Sequence, residues 1–112
     1  VLGAYLAPYA TWADRIALLR FPQDVPLVPA DPFYSLLSTI QDGLAQFRQT
    51  PAMICWGERD AVFPPRALAI WRGHRPHAEI HRFPDCSHWV LEDAPDEIAA
   101  CTRAFLSARL PV

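Results

Sequence analysis

Two residues in this chain are of types that exchange protons with one another: Asp60, in the stretch WGERDAVF, and His88, in PDCSHWVL. A carboxylate that accepts a hydrogen bond from one ring nitrogen of a histidine fixes its tautomer. It also stabilises the imidazolium that forms during reaction. The other ring nitrogen is then able to take a proton from a nucleophile or a water and return it, an effect of ~10²–10⁴-fold. That is the acid and base portion of a nucleophilic relay, and the nucleophile itself must come from elsewhere. The bland alternatives are a solvated turn aspartate paired with Arg59, and a histidine bonded to a backbone carbonyl.

The elements needed to unite the two residues are legible around them. Residues 52–56 (AMICW) are short, apolar and uninterrupted, the pattern of a strand covered on both faces. Gly57 then lets the chain turn sharply off the strand end. Pro64-Pro65 opens a helix with Leu68 and Trp71 on one side, and Arg75-Pro76 ends it. Residues 78–83 form a second, less apolar strand nearer the sheet edge. A crossover of helical length makes the two strands parallel. Loops that follow parallel strands leave from one edge of a sheet, so Asp60 and His88 are expected to meet there.

Other candidates are weaker. Glu92 is expected to support the loop or a helix N-terminus. Cys86 and Ser87 are adjacent to His88, yet neighbours in sequence rarely point at one another, and Ser35 and Ser38 lie on a helix. His74, His77, His81, Cys86 and His88 invite a metal reading, but their spacing matches neither a zinc finger nor a helical two-histidine motif. No metal and no cofactor is expected. Glu79 and His81 fall on one strand face, most simply a solvated one.

Composition narrows the class. A hydrophobic share of 52% and a charged share of 20% describe a globular chain, and the net charge is -2. All 10 basic residues are arginines scattered along the sequence, which argues against nucleic acid or an anionic membrane as a partner. The expected partner is a small-molecule substrate. No apolar run approaches the ~20 residues of a membrane span. Cys55, Cys86 and Cys101 do not read as a disulfide framework, so a reducing, cytoplasmic compartment is expected. The opening VLGAYLAPYATW lacks an initiator Met and a signal-peptide pattern, and reads as the middle of a longer chain.

Upstream, Thr11 with Asp14 marks a capping box before a helix reaching about Phe21. Pro22, Pro26, Pro29 and Pro32 make the next segment extended, and Asp31-Pro32 starts a helix running to about Gln49. Gly43 inside it suggests close packing. Pro95, with Asp96 and Glu97, starts a last helix whose buried face is Ile98, Cys101, Phe105 and Leu106. Two strands and four helices are an incomplete sheet, so this stretch alone is expected to be inactive and poorly folded.

The motif P-x-x-x-x-W-G-E-R-D-x-x-F-P (Pro51 to Pro64), followed by F-P-D-C-S-H-W-V-L-E-D-A-P-D-E-I (Phe83 to Ile98), resembles the end of an α/β-hydrolase. There, strand seven carries the acid and the loop after strand eight the histidine. Y-L-A-P-Y with R-I-A-L-L-R-F-P (Tyr5 to Pro22) looks like the haloalkane dehalogenase-like branch, where the chain leaves the cap and re-enters the core. The implied fold class is α/β: the C-terminal fragment of an α/β-hydrolase fold, its last two parallel strands with flanking helices, preceded by the end of the cap region. Residues 1–30 would be the end of the cap and the return to the core, and 31–112 the C-terminal part of the core.

The resemblance implies hydrolysis through a covalent ester intermediate, with Asp60 and His88 as catalytic residues. The nucleophile, an aspartate or a serine, would lie upstream, since no G-x-Nuc-x-G elbow is present. Some dehalogenases carry their acid after strand six, which would make Asp60 a bystander. Relatives in this branch act on haloalkanes and epoxides and process β-lactones in hydrocarbon synthesis, and serine esterases share the fold; the opening segment looks like the β-lactone group. The family usually has Gly before the histidine, so Ser87 is expected to tolerate a turn that Gly makes more easily. The alternative is a truncated or degenerate relative that acts only as a binding module.

Overall fold

The computed structural model describes residues 1–109. The chain folds as two compact units, one of Val1–Asp42 and the other beginning at Gly43. In the first unit, α1 (Leu2–Leu6) and α2 (Ile16–Gln23) are joined through single 3-10 turns at Ala7–Tyr9 and Ala13–Arg15. The capping box is present: the Thr11 backbone N–H and hydroxyl donate to Asp14 Oδ2 at 2.9 and 2.7 Å, and the Asp14 N–H donates to Thr11 Oγ1 at 3.3 Å. The helix runs past the expected end at Phe21. Pro22 sits in its last turn, where few carbonyls remain for the ring to disturb, and the Asp24 N–H closes onto the Arg20 carbonyl.

The next helix, α3 (Tyr34–Gly43), starts later than Asp31-Pro32 suggested. Asp31 Oδ2 instead accepts from the backbone N–H groups of Leu27 and Val28, at 2.7 and 2.9 Å, so it ties down the turn before it. Phe33 intervenes with φ 66°, a left-handed conformation that a helix start does not accommodate. Gly43 is not a close-packing site: an added Cβ would meet only Gln46 Nε2, at 3.5 Å. It ends α3, and a 3-10 turn, Leu44–Phe47, follows.

The second unit is built on two parallel strands, β1 (Met53–Gly57) and β2 (Glu79–Phe83), linked by α4 (Pro65–His74). Each residue of β1 pairs in step with one of β2, from Met53 with Glu79 to Gly57 with Phe83, so both strands end at the same level. Pro64 in extended conformation precedes α4, and Pro65 fits its first turn. Alternation along the strands sorts the side chains onto two faces. Trp56 and Arg82, on one face, border a hollow shared with Leu68 and Ala69 of α4. On the other, Cys55 and Phe83 pack against Cys86, Ala94 and Ile98. These lie in and around α5 (Val90–Asp93) and α6 (Pro95–Ser107).

Helices on opposite faces of parallel strands make an α/β arrangement. Its buried core among the described residues is small: Leu68, Cys86, Ala94 and Ile98. β1 is only half-buried over most of its length, and Leu106 of α6, expected inside, is exposed. No helix among the described residues is long and apolar enough to cross a membrane.

Candidate functional site

The site is assembled where the two strands end. The Glu58 N–H donates to the Phe83 carbonyl at 3.0 Å, continuing the ladder one step beyond β1. The Arg59 N–H then donates to the Cys86 carbonyl at 2.9 Å, stitching the loop after β1 to the loop after β2. Asp60 follows immediately. Its Oδ1 accepts from the backbone N–H groups of Val62 and Phe63, both at 2.8 Å, a local Asx-type turn that orients the carboxylate. Its other oxygen, Oδ2, lies 3.0 Å from Nδ1 of His88. The two residues singled out in the sequence are therefore brought together. Arg59, the partner in the bland reading of Asp60, pairs with Asp85 instead.

The electrostatics follow from this cradle. Burial is the largest single influence on Asp60 and pushes its pKa up. The Phe63 N–H, the His88 ring and the Val62 N–H together outweigh it and hold the carboxyl below its ordinary value of 3.8. The carboxylate is thus ionised and acceptor-only, so the proton between the pair resides on His88 Nδ1. Nε2 has no hydrogen-bond partner among the described residues. The Asp60 side chain is 9% exposed and that of His88 29%, so the carboxylate is sheltered while the imidazole reaches solvent. The Phe63 and Trp89 rings, each with its centroid 5.2 Å from the imidazole, flank His88.

Two supports for His88 differ from the sequence reading. The turn that Ser87 was expected to tolerate uses no left-handed backbone angle, because Phe33 is the only non-glycine described residue with positive φ. The turn is held by hydrogen bonds instead. Ser87 donates through its N–H and its hydroxyl to Asp93 Oδ2, at 2.6 and 2.7 Å, and the hydroxyl accepts from the Trp89 N–H at 3.4 Å. The Ser87 hydroxyl and then its N–H hold the Asp93 carboxyl below its usual range. Asp93 thus supports the loop that carries His88. The sequence offered no signal for it, since six residues separate Ser87 from Asp93 and a capping box has a spacing of three.

Gly57 also acts differently from the expectation. No glycine among the described residues has positive φ, so the chain needs no special backbone angle there. What Gly57 provides is space. A Cβ at that position would lie 2.1 Å from the Ser87 carbonyl oxygen and 2.6 Å from that of Cys86. The histidine loop crosses directly over the end of β1, and only a residue without a side chain permits it.

Cys86 is buried and Ser87 is committed to Asp93, and neither makes a hydrogen bond to the imidazole of the adjacent His88. Among the described residues no three His, Cys, Asp or Glu side chains converge as a metal-ligand set.

The profile of the α/β hydrolase fold matches residues 5–95. Over 104 residues the chain is 48% identical to the cis-3-alkyl-4-alkyloxetan-2-one decarboxylase of Shewanella oneidensis, covering 93% of this chain and 33% of that protein. It is 46% identical over 106 residues to the protein of the same name from Xanthomonas campestris pv. campestris, covering 95% and 35%. Haloalkane dehalogenase 2 of Mycobacterium tuberculosis is 27% identical over 101 residues, covering 89% and 34%. The chain spans about a third of the length of these curated relatives. The haloalkane dehalogenase-like branch that Tyr5 to Pro22 resembles is represented among them, as are proteins named for an oxetan-2-one. With parallel strands flanked by helices at its centre and the family profile covering most of its length, the chain belongs to the α/β-hydrolase fold family.

Proposed function

We propose that Asp60 and His88 are the acid and base of a nucleophile–histidine–acid relay, in an enzyme that opens a small strained lactone of the oxetan-2-one class through a covalent ester intermediate. The substrate class rests on the names of the two relatives at 48% and 46% identity. The role of the pair rests on one observation, the 3.0 Å contact between Asp60 Oδ2 and His88 Nδ1. With Nδ1–H committed to the carboxylate, Nε2 is the basic atom that takes a proton from the nucleophile or from water and later returns it. Asp60 holds the ring orientation and offsets the charge of the imidazolium.

The nucleophile is supplied by a part of the protein preceding Val1. In this reading residues 1–30 close the cap and residues 31–112 belong to the core. A reducing, cytoplasmic compartment is part of the same proposal.

The test uses the full-length protein and a cis-3,4-dialkyl oxetan-2-one. Wild type is expected to consume the lactone. Water cleaving the covalent ester would give the 3-hydroxy acid, whereas loss of the carboxyl carbon as carbon dioxide breaks the C2–C3 bond, forms the C3=C4 double bond and expels the oxygen on C4 with no net water. In His88→Ala, turnover collapses, and a protein adduct of the substrate's mass accumulates in intact mass spectra if the nucleophile is an aspartate. Undiminished turnover in both His88→Ala and Asp60→Asn would overturn the proposal.

A further inference from the structure

On the far side of the second unit, α6 lays Cys101 over the face of β2 that carries Glu79 and His81. That face was expected to be solvated. It is half-covered, and the three side chains form a chain of contacts. Cys101 Sγ lies 3.5 Å from His81 Nδ1, and His81 Nε2 lies 2.8 Å from Glu79 Oε1. Glu79 Oε2 in turn accepts from Arg109 Nη2 at 3.4 Å, and the Arg109 guanidinium sits 3.8 Å above the Phe105 ring. The order is thiol, imidazole, carboxylate, guanidinium. Strand alternation puts Glu79 and His81 on one face, and the parallel register sets Cys55 beside His81.

We infer that Cys101, His81 and Glu79 form a second nucleophilic constellation, a covalent-modification site for small, uncharged carbon electrophiles. Glu79 accepts the Nε2 proton of His81 and so leaves Nδ1 as the acceptor facing sulfur, the tautomer that removes a thiol proton. The reacting step balances. The Cys101 S–H proton passes to His81 Nδ1, a sulfur electron pair forms the new S–C bond, and the leaving group departs with the pair of the broken bond. The imidazolium then returns its proton to water. Cys101 is half-buried between helix and strand, which favours a small reagent, and the adjacent Glu79 carboxylate and Arg109 guanidinium disfavour charged ones.

The other two cysteines lack this arrangement. Burial, followed by the neighbouring Cys101 and Glu79, pushes the Cys55 thiol up, and burial, followed by Asp93, Glu97 and Asp85, does the same to Cys86. Among the described residues neither makes a hydrogen bond to an imidazole. Selectivity among three thiols in one chain is therefore the signature of the constellation.

The experiment is iodoacetamide labelling of the full-length protein, with site-resolved rates from digestion and mass spectrometry. Cys101 is expected to alkylate at least ~tenfold faster than Cys55 or Cys86. His81→Gln should slow Cys101 by about tenfold, and Glu79→Gln by a smaller factor. Glu79 is 40% exposed, so Glu79→Gln carries the test if His81→Gln does not fold. Cys101 reacting no faster than its two fellows, or at an unchanged rate in the folded variants, overturns the inference. Labelling needs no turnover, so its outcome stands apart from the function proposed for Asp60 and His88.

Discussion

The carbonyl oxygen of Ser87 occupies the place where a side chain on Gly57 would begin, 2.1 Å from the ideal Cβ position. Strand end and histidine loop are thus stacked backbone on backbone, and the stacking sets how far His88 stands from Asp60.

Gly57→Ala is expected to be the most damaging single-methyl change in this unit. The new atom meets backbone on both Cys86 and Ser87, which cannot swing aside as a flexible side chain would. A loss of roughly 2–4 kcal/mol in folding free energy follows from overpacking of this kind. Chemical denaturation of the full-length protein measures it, and a variant within about 0.5 kcal/mol of wild type would show that the loop yields easily.

Asp60→Asn keeps the side chain's size while reversing its hydrogen bonding. An amide nitrogen is able to donate to Nδ1, which moves the imidazole proton to Nε2 and removes the basic atom. Under the proposed role, kcat should fall by about 10³–10⁴-fold with KM changed far less. Steady-state kinetics on the lactone decide it. A loss smaller than about tenfold would reassign the acid to another residue.

The depressed pKa of Asp60 has a definite sign in stability. A folded-state value below 3.8 means the unfolded chain binds the proton more readily, so the carboxylate stabilises the fold above that pH. The contribution fades as pH falls through the folded-state value. Asp93, lowered by Ser87, behaves alike. Wild type should therefore exceed Asp60→Asn in stability at pH ~7, and the gap should narrow below 3.8. Paired urea titrations across that window test the sign; a gap that widens in acid contradicts it.

Asp93→Ala removes the one carboxylate that accepts both Ser87 donors. The His88 loop keeps its tie through the Arg59 N–H to the Cys86 carbonyl, so the fold is expected to survive with the imidazole less well aimed. A displacement approaching 1 Å at a reacting group costs up to ~10²-fold, and we expect kcat to drop by about tenfold or more with KM little altered. Asp93→Glu should restore part of it.

What the sequence made readable was local or periodic. Pro64-Pro65 and Pro95 announce their helices because a proline's fixed φ suits a first turn whatever surrounds it. The strands around Cys55 and His81 announce themselves by apolar run and crossover length, and these place Asp60 and His88 at one edge. The misreadings have other origins. Asp31 had donors on both sides, and nothing nearby in sequence says it bonds back to Leu27 and Val28. Gly57 looks like a turn glycine until the loop from Cys86 is seen above it. Glu79 and His81 look solvated until α6 covers them. The last two depend on contacts between distant segments, which residue type alone does not encode, whereas the Asp31 turn is local and an aspartate there suits a turn and a helix cap alike.

The step-for-step pairing of Met53–Gly57 with Glu79–Phe83 has a consequence for how this site tolerates change. A slip of one residue would carry one loop about 3.3 Å past the other and turn every strand side chain to the opposite face. Length changes in the crossover, by contrast, leave the two strand tips level as long as the peptide ladder holds. The reach from carboxylate to imidazole is therefore inherited from main-chain hydrogen bonding, and diversification in the helix that joins the strands has no need to disturb it.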